Sequence, residues 1–321
     1  MTSFNDRAAS MNLDISKAYK GLYSYSDRFS EVVYRKLWTD SPDNHFDHET
    51  ELRDDHDTDF EQVPKLAVFT KPIDVNNIDA RFQYVGVVSD LYSFVGNDNL
   101  IKSINESISN TGTPIVEEDT VLYNNLTKMR SEITISSSQH IPIAGDVLPI
   151  IVVNNSYDGT KAASISFGLT MSHNSERLAF AFNLGELKQI HISNSNTNIE
   201  APIESYLEVF SQNIGTMISD SFNKQLTEEE MLTCLDVIED ISKNRKKNIS
   251  NLLKELLPDV IEGQPIPLPS SWQIFLSIIR FSSFEKNLNV KKLLENAAQS
   301  ALVIPGQMFN VLKQLENIRP A

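Results

Sequence analysis

The sequence predicts an α+β protein, in which a central, largely antiparallel sheet is followed by a helical subdomain. Two observations carry that expectation. In the middle of the chain, the apolar run Leu148, Ile150, Ile151, Val152, Val153 is joined through Asp158-Gly159 to Ala163, Ile165, Phe167, Leu169 in strict alternation. That is strand periodicity on both sides of a turn. From Pro202 onward the apolar spacing changes to three to five residues, which is helical. The division that follows is an N-terminal arm and acidic linker over residues 1–62, a β-rich core domain over 63–200 and a helical subdomain over 201–321.

Residues 1–39 interleave Tyr19, Tyr23, Tyr25, Phe29, Tyr34 and Trp38 with Lys17, Lys20, Arg28, Arg35 and Lys36. Aromatic rings alternating with cations can stack on bases while neutralising phosphates. The same residues also suit an N-terminal arm or helix whose rings pack on the body. Composition shifts over residues 40–62, where ten carboxylates stand against the single basic residue Arg53. With almost no apolar anchor, this stretch is expected to be an acidic loop or linker. It holds His45, His48 and His56 among Asp47, Asp54, Asp55 and Asp57, a donor set suited to zinc, iron or manganese. A metal centre needs rigid support behind its ligands, which such a loop lacks, so no metal is expected.

Phe82, Tyr84, Val85, Val87 and Val88 form a strand-like run, with Tyr92, Phe94 and Val95 as its expected hairpin partner. Asn97-Asp98-Asn99 offers N-caps for a short helix with Leu100, Ile101, Ile104 and Ile108 on one stripe. At Asp158-Gly159 the glycine accepts positive φ at no steric cost, so a tight hairpin turn is expected. A further strand pair, residues 178–182 and 190–192, flanks Gly185.

Beyond the sheet, Ile203, Leu207, Phe210, Ile214, Met217 and Phe222 are read as one helical stripe, with Pro202 at the first helical position. Thr227 and Glu230 have the form of a capping box opening a second helix that ends near Pro258. Alternate prolines from Pro265 to Pro269 give a stiff linker. Helices through Ser271-Trp272 and through Val290, Leu293, Leu294 and Leu302 complete the chain.

Residues 82–89 with the helix behind them, the turn Asn155-Ser156-Tyr157-Asp158-Gly159-Thr160 and the late helix at Ser271-Trp272-Gln273-Ile274-Phe275 resemble the phage/plasmid-like protein family that carries domain of unknown function 932. The likeness covers roughly residues 65–305. The late helix departs from the family's Asn-Ala-rich pattern, with Leu276-Ser277-Ile278-Ile279-Arg280 in that place. The resemblance implies a mobile-element setting and brings no defined reaction.

A net charge of −15 disfavours a protein whose whole surface wraps nucleic acid. Cys234, the single cysteine, excludes an intrachain disulfide and reads as a small apolar helix residue, in keeping with a reducing compartment. With no basic start followed by an apolar core, and no apolar run near the roughly 20 residues a bilayer needs, a cytoplasmic location in a host cell is expected. Phosphate-cradling glycine loops, nucleophile elbows and zincin helices are missing, so no catalytic residues and no cofactor are expected. His173 beside Ser175 and Glu176 suits either an acid/base cluster or a polar turn.

The dense basic run is Lys243, Arg245, Lys246 and Lys247, which can contact phosphates or simply solvate a helix face. Together these features suggest a non-enzymatic accessory protein that binds single-stranded DNA or a replication or host partner. The alternative is a structural or host-interaction protein that uses its acidic surface, as a DNA mimic or virion component.

Overall fold

A computed structural model describes residues 23–26, 30–40, 60–72, 82–89, 95–123, 126–160, 162–173, 175–184, 187–189, 199–227, 229–230, 269–285 and 288–314. The aromatic and basic segment read as an arm forms strands. β1 (Tyr23–Ser26) pairs with β2 (Ser30–Asp40), β2 with β3 (Phe60–Pro72), and β3 with β4 (Gln83–Ser89), giving a four-stranded antiparallel sheet in sequence order. The β-branched and aromatic residues of 30–40 suit a pleated surface better than a helix. The two ends of the acidic stretch lie in that sheet, since Asp40 pairs with Phe60; residues 41–59, including His45, His48 and His56, lie outside the described residues. β4 pairs back onto β3, and Val95 belongs to no strand. Tyr92 and Phe94 lie outside the described residues.

α1 (Asn97–Asn110) buries Leu100, Ile101, Ile104 and Ile108, as its stripe predicts. Its cap is Gly96, without a side-chain hydrogen bond. Asn97 is instead buried: its amide donates to the Tyr157 hydroxyl at 2.9 Å, and its Oδ1 accepts from Asn155 at 2.9 Å. The residue read as a cap anchors the helix to the sheet.

The second sheet contains β5 (Ile115–Tyr123), β6 (Lys128–Ile135), β7 (Gln139–Ile141), β8 (Gly145–Ser156), β9 (Ala163–His173), β10 (Glu176–Ala181) and β11 (Leu187–Gln189). Its order is β10-β9-β8-β6-β5, all pairs antiparallel, with β7 added to β8 and β11 to β9. The β8–β9 hairpin forms, with Ile151 opposite Phe167 and φ of 69° at Gly159, but its last register pair is Asn154 with Ser164, so the connection is wider than the tight turn expected. β8 is buried on both faces: Ile151 and Val153 join the main core, while Ile150 and Val152 join Ala179 and Ala181 in a smaller cluster. That explains its continuous apolar run beside the alternation in β9.

α2 (Glu200–Asn223) lays Ile203, Tyr206, Phe210, Ile214 and Met217 on the core. Tyr206 stacks on Phe167 at 4.5 Å and donates its hydroxyl to the Gly168 carbonyl. Phe222 is exposed, because five residues past Met217 is about 140° round the helix; Ser221 holds the buried position. The Thr227–Glu230 capping box forms, with Glu230 accepting from the Thr227 amide at 2.9 Å and the Glu230 amide donating to Thr227 Oγ1 at 3.2 Å. A bridge between Gln225 and Ser270, with the Leu226 amide bonded to Pro269, brings the chain's exit from α2 next to its return. The predicted second helix and proline linker fall in residues 231–268, outside the described residues.

α3 (Ser271–Ser283) opens on a full capping box between Ser270 and Gln273. On it, Trp272 stacks on Phe275 at 5.0 Å, and Phe275 meets Phe180 of β10 edge-on at 5.1 Å. α4 (Leu288–Ala301) and α5 (Gly306–Gln314) follow, and Leu293, read as part of the apolar stripe, is exposed. The fold is α+β, and among the described residues no helix is long and apolar enough to cross a membrane.

Candidate functional site

Lys243, Arg245, Lys246 and Lys247, the predicted nucleic-acid contacts, lie outside the described residues. Among the described residues, no group of three or more His, Cys, Asp or Glu is placed to hold a metal ion. His173 and Glu176 are register partners closing the β9–β10 hairpin, with Ser175 at φ 66°. Arg280 of α3 claims the Glu176 carboxylate through contacts of 2.9 and 3.4 Å, so this carboxylate ties a helix to the sheet.

The four-stranded sheet has two unlike faces. Inward, Val32, Val68 and Val88 pack round Tyr157 with Val85 against them. Outward, Phe69 pairs in register with Tyr84, and their rings meet edge-to-face at 5.7 Å. Lys71 Nζ stands 5.9 Å from the centroid of the Phe82 ring. Tyr84 is 49% exposed and Phe82 38%, with Val87 also exposed on β4. On the β2 side, the register places Val33 opposite Phe69 and Arg35 opposite Ala67. Large rings beside a lysine, held on a β-surface, offer π-faces and a positive charge together.

Beneath this sheet the β8–β9 turn is held by its own side chains. Asp158 Oδ1 accepts from Ser156 Oγ at 2.5 Å, Thr160 Oγ1 at 2.6 Å and the Thr160 amide at 3.0 Å. Its Oδ2 accepts from Thr127 Oγ1 at 3.2 Å, with Lys128 Nζ at 3.9 Å. Burial alone would raise this carboxyl, but the Ser156 and Thr160 hydrogen bonds and the Lys128 charge hold it below the usual carboxylate range. Gly86 of β4 lies against the turn, where an added Cβ would meet the Asp158 Cβ at 3.6 Å. The turn is therefore the seat on which the four-stranded sheet rests.

A polar stripe runs along β6, on a face that carries Arg130 and Glu132. Arg130 bonds Glu295 through both terminal nitrogens, at 2.8 and 3.5 Å, and Glu132 through Nε at 3.0 Å. Glu132 also accepts from Arg177 at 3.1 Å and Lys291 at 3.4 Å, and Arg177 reaches Glu117 at 3.3 Å. Burial would raise the Glu132 carboxyl, yet the charges of Arg130, Lys291 and Arg177 hold it down at about 2. Burial likewise opposes the charge on Arg130, and Glu295 with Glu132 more than restores it. Tyr123, between Arg130 and Asp158, is pushed up to about 12, mainly by burial. Arg130, Arg177 and Lys291 face Glu117, Glu132 and Glu295, three cations against three carboxylates that partner one another. The sequence reading passed over this stripe, although Lys128, Arg130, Glu132 and Thr134 at every second position mark a polar strand face.

No protein-family model, curated protein or solved structure matches the chain. The phage/plasmid resemblance thus rests on residues 82–89, 155–160 and 271–275 themselves.

Proposed function

We propose that the chain is a non-enzymatic, phage- or plasmid-type accessory protein that binds single-stranded nucleic acid on the outer face of its four-stranded sheet. The observation that carries the reading is the exposure of Tyr84 and Phe82 on one face beside Lys71. Exposed rings on a sheet stack unpaired bases, each worth about 1–3 kcal/mol and tolerant of sequence. The overall charge of −15 opposes approach, but at physiological salt that repulsion is screened beyond about 8 Å, while stacking acts at contact. Lys243, Arg245, Lys246 and Lys247 are proposed from the sequence as further phosphate contacts.

The test is fluorescence anisotropy with labelled twelve-nucleotide dT. Tyr84→Ala and Phe82→Ala are expected to weaken binding about tenfold each while leaving the urea unfolding midpoint nearly unchanged. Arg245→Glu with Lys246→Glu should weaken it further. Absence of binding by the unaltered protein at low salt rejects the proposal.

A second reading, docking of a basic partner protein on the acidic surface, draws support from β5. That strand ends the sheet order, and it exposes Glu117 and Asp119 between Val116 and Val121. Capture of a defined basic partner that survives charge reversal of Glu117 and Asp119 would remove it.

A further inference from the structure

Resting on the nucleic-acid reading, we infer that the outer sheet face takes two consecutive, mutually unstacked bases of a single strand, one on Tyr84 and one on Phe82, and that stacking rather than phosphate contact carries the binding. The two residues are two positions apart, Phe82 immediately ahead of β4 and Tyr84 within it. Along an extended chain that separation is about 6.8 Å. Neighbouring bases stacked on one another are only about 3.4 Å apart. A base pair step cannot cover both rings, so the strand must open its bases, which a duplex resists and a single strand permits.

The surroundings of each ring are fitted to that task. Phe69, in register with Tyr84, backs it edge-to-face at 5.7 Å and limits its rotation. Lys71, two residues along β3 from Phe69, sits 5.9 Å from the Phe82 ring. The cation is thus placed beside the second base position, where it can meet the phosphate joining the two nucleotides. The Lys71 contact by itself gives a shallow salt dependence of about −0.7 in log–log slope for a single strand, and the salt series is read on the Arg245→Glu, Lys246→Glu protein so that the basic run does not add to it. The surplus negative charge of the protein pushes the slope further toward zero, since added salt also screens repulsion.

The measurement is a binding series on labelled twelve-residue abasic strands carrying zero, one, two or four adjacent thymines, run alongside all-dT strands of equal length. Affinity is expected to rise roughly tenfold for each of the first two bases and then to level off. For the two-base strand, raising NaCl from 50 to 300 mM should cost less than about fourfold. In the Tyr84→Leu variant the second step should vanish. If the all-dT strand itself fails to bind, the nucleic-acid reading falls and this inference with it. If all-dT binds but the fully abasic strand binds equally well, or affinity keeps climbing from two to four bases, the inference alone is overturned.

Discussion

Arg130 and Glu295, 165 positions apart in the chain, meet through a bidentate contact in which the side chains are 8% and 1% exposed. A guanidinium matches a carboxylate in geometry, and neither ion is tolerable in the interior without the other. This pair therefore fixes where α4 rests on the sheet.

Glu295→Ala leaves Arg130 buried with half its partners gone and should cost about 3–5 kcal/mol, read as a lower urea midpoint with unchanged m-value. The double replacement Arg130→Met with Glu295→Leu should recover much of that loss, because two apolar side chains carry no desolvation penalty. Equal destabilisation by both proteins would contradict the account.

Acid should expose the role of Glu132. Its carboxyl is held at about 2 in the folded protein against an ordinary value of 4.5. A depressed folded value means the stabilisation is complete above about pH 4.5 and is lost as pH falls toward 2. Thermal midpoints measured from pH 7 to 2 should fall across that window, and Glu132→Gln should start lower and fall less. Parallel curves would show that the cations around Glu132 do not supply the acid sensitivity.

At Gly168 the strands leave no room for a side chain. An added Cβ would meet the Phe180 carbonyl oxygen at 2.0 Å and Ala181 Cα at 2.9 Å, both backbone atoms of the neighbouring strand. Gly168→Ala should cost about 3 kcal/mol or more. By comparison Tyr206→Phe, which removes only the hydroxyl donated to the Gly168 carbonyl, should cost roughly 1 kcal/mol. Denaturant titration of both variants separates the two effects.

Tyr157 joins the two sheets by filling the inner face of the smaller one and accepting the Asn97 amide. Tyr157→Ala should speed hydrogen exchange at the amides of β3 and β4 while β8 and β9 stay protected. Tyr157→Phe keeps the ring and should change exchange mainly at Asn97. Uniform loss of protection across both sheets would refute a local joint.

Legibility in the sequence followed the range of the interaction. The β8–β9 hairpin and the α1 stripe could be read because Gly159 and the spacing of Ile101, Ile104 and Ile108 act within a few residues. Residues 23–40 were read as an arm because strand pairing depends on β3, which begins twenty positions after Asp40. For the candidate site, the aromatic run at 82–84 was visible as a strand, but which face meets water is decided by Tyr157, far along the chain. The β6 stripe announced a polar face without naming Glu295 or Lys291, which only the packing of α4 supplies.

The anchors of α4 also set its register. Lys291 meets Glu132, Glu295 meets Arg130, and Gln299 accepts the Asn183 amide at 2.7 Å, three seats spaced one helical turn apart. Sliding the helix by one turn, about 5.4 Å, would set Lys291 against Arg130 in one direction and Glu295 against Glu132 in the other. Alternating sign makes each slipped arrangement repulsive, so α4 has a single docked position, and a one-residue insertion between Lys291 and Glu295 would turn the last two contacts about 100° away from the first.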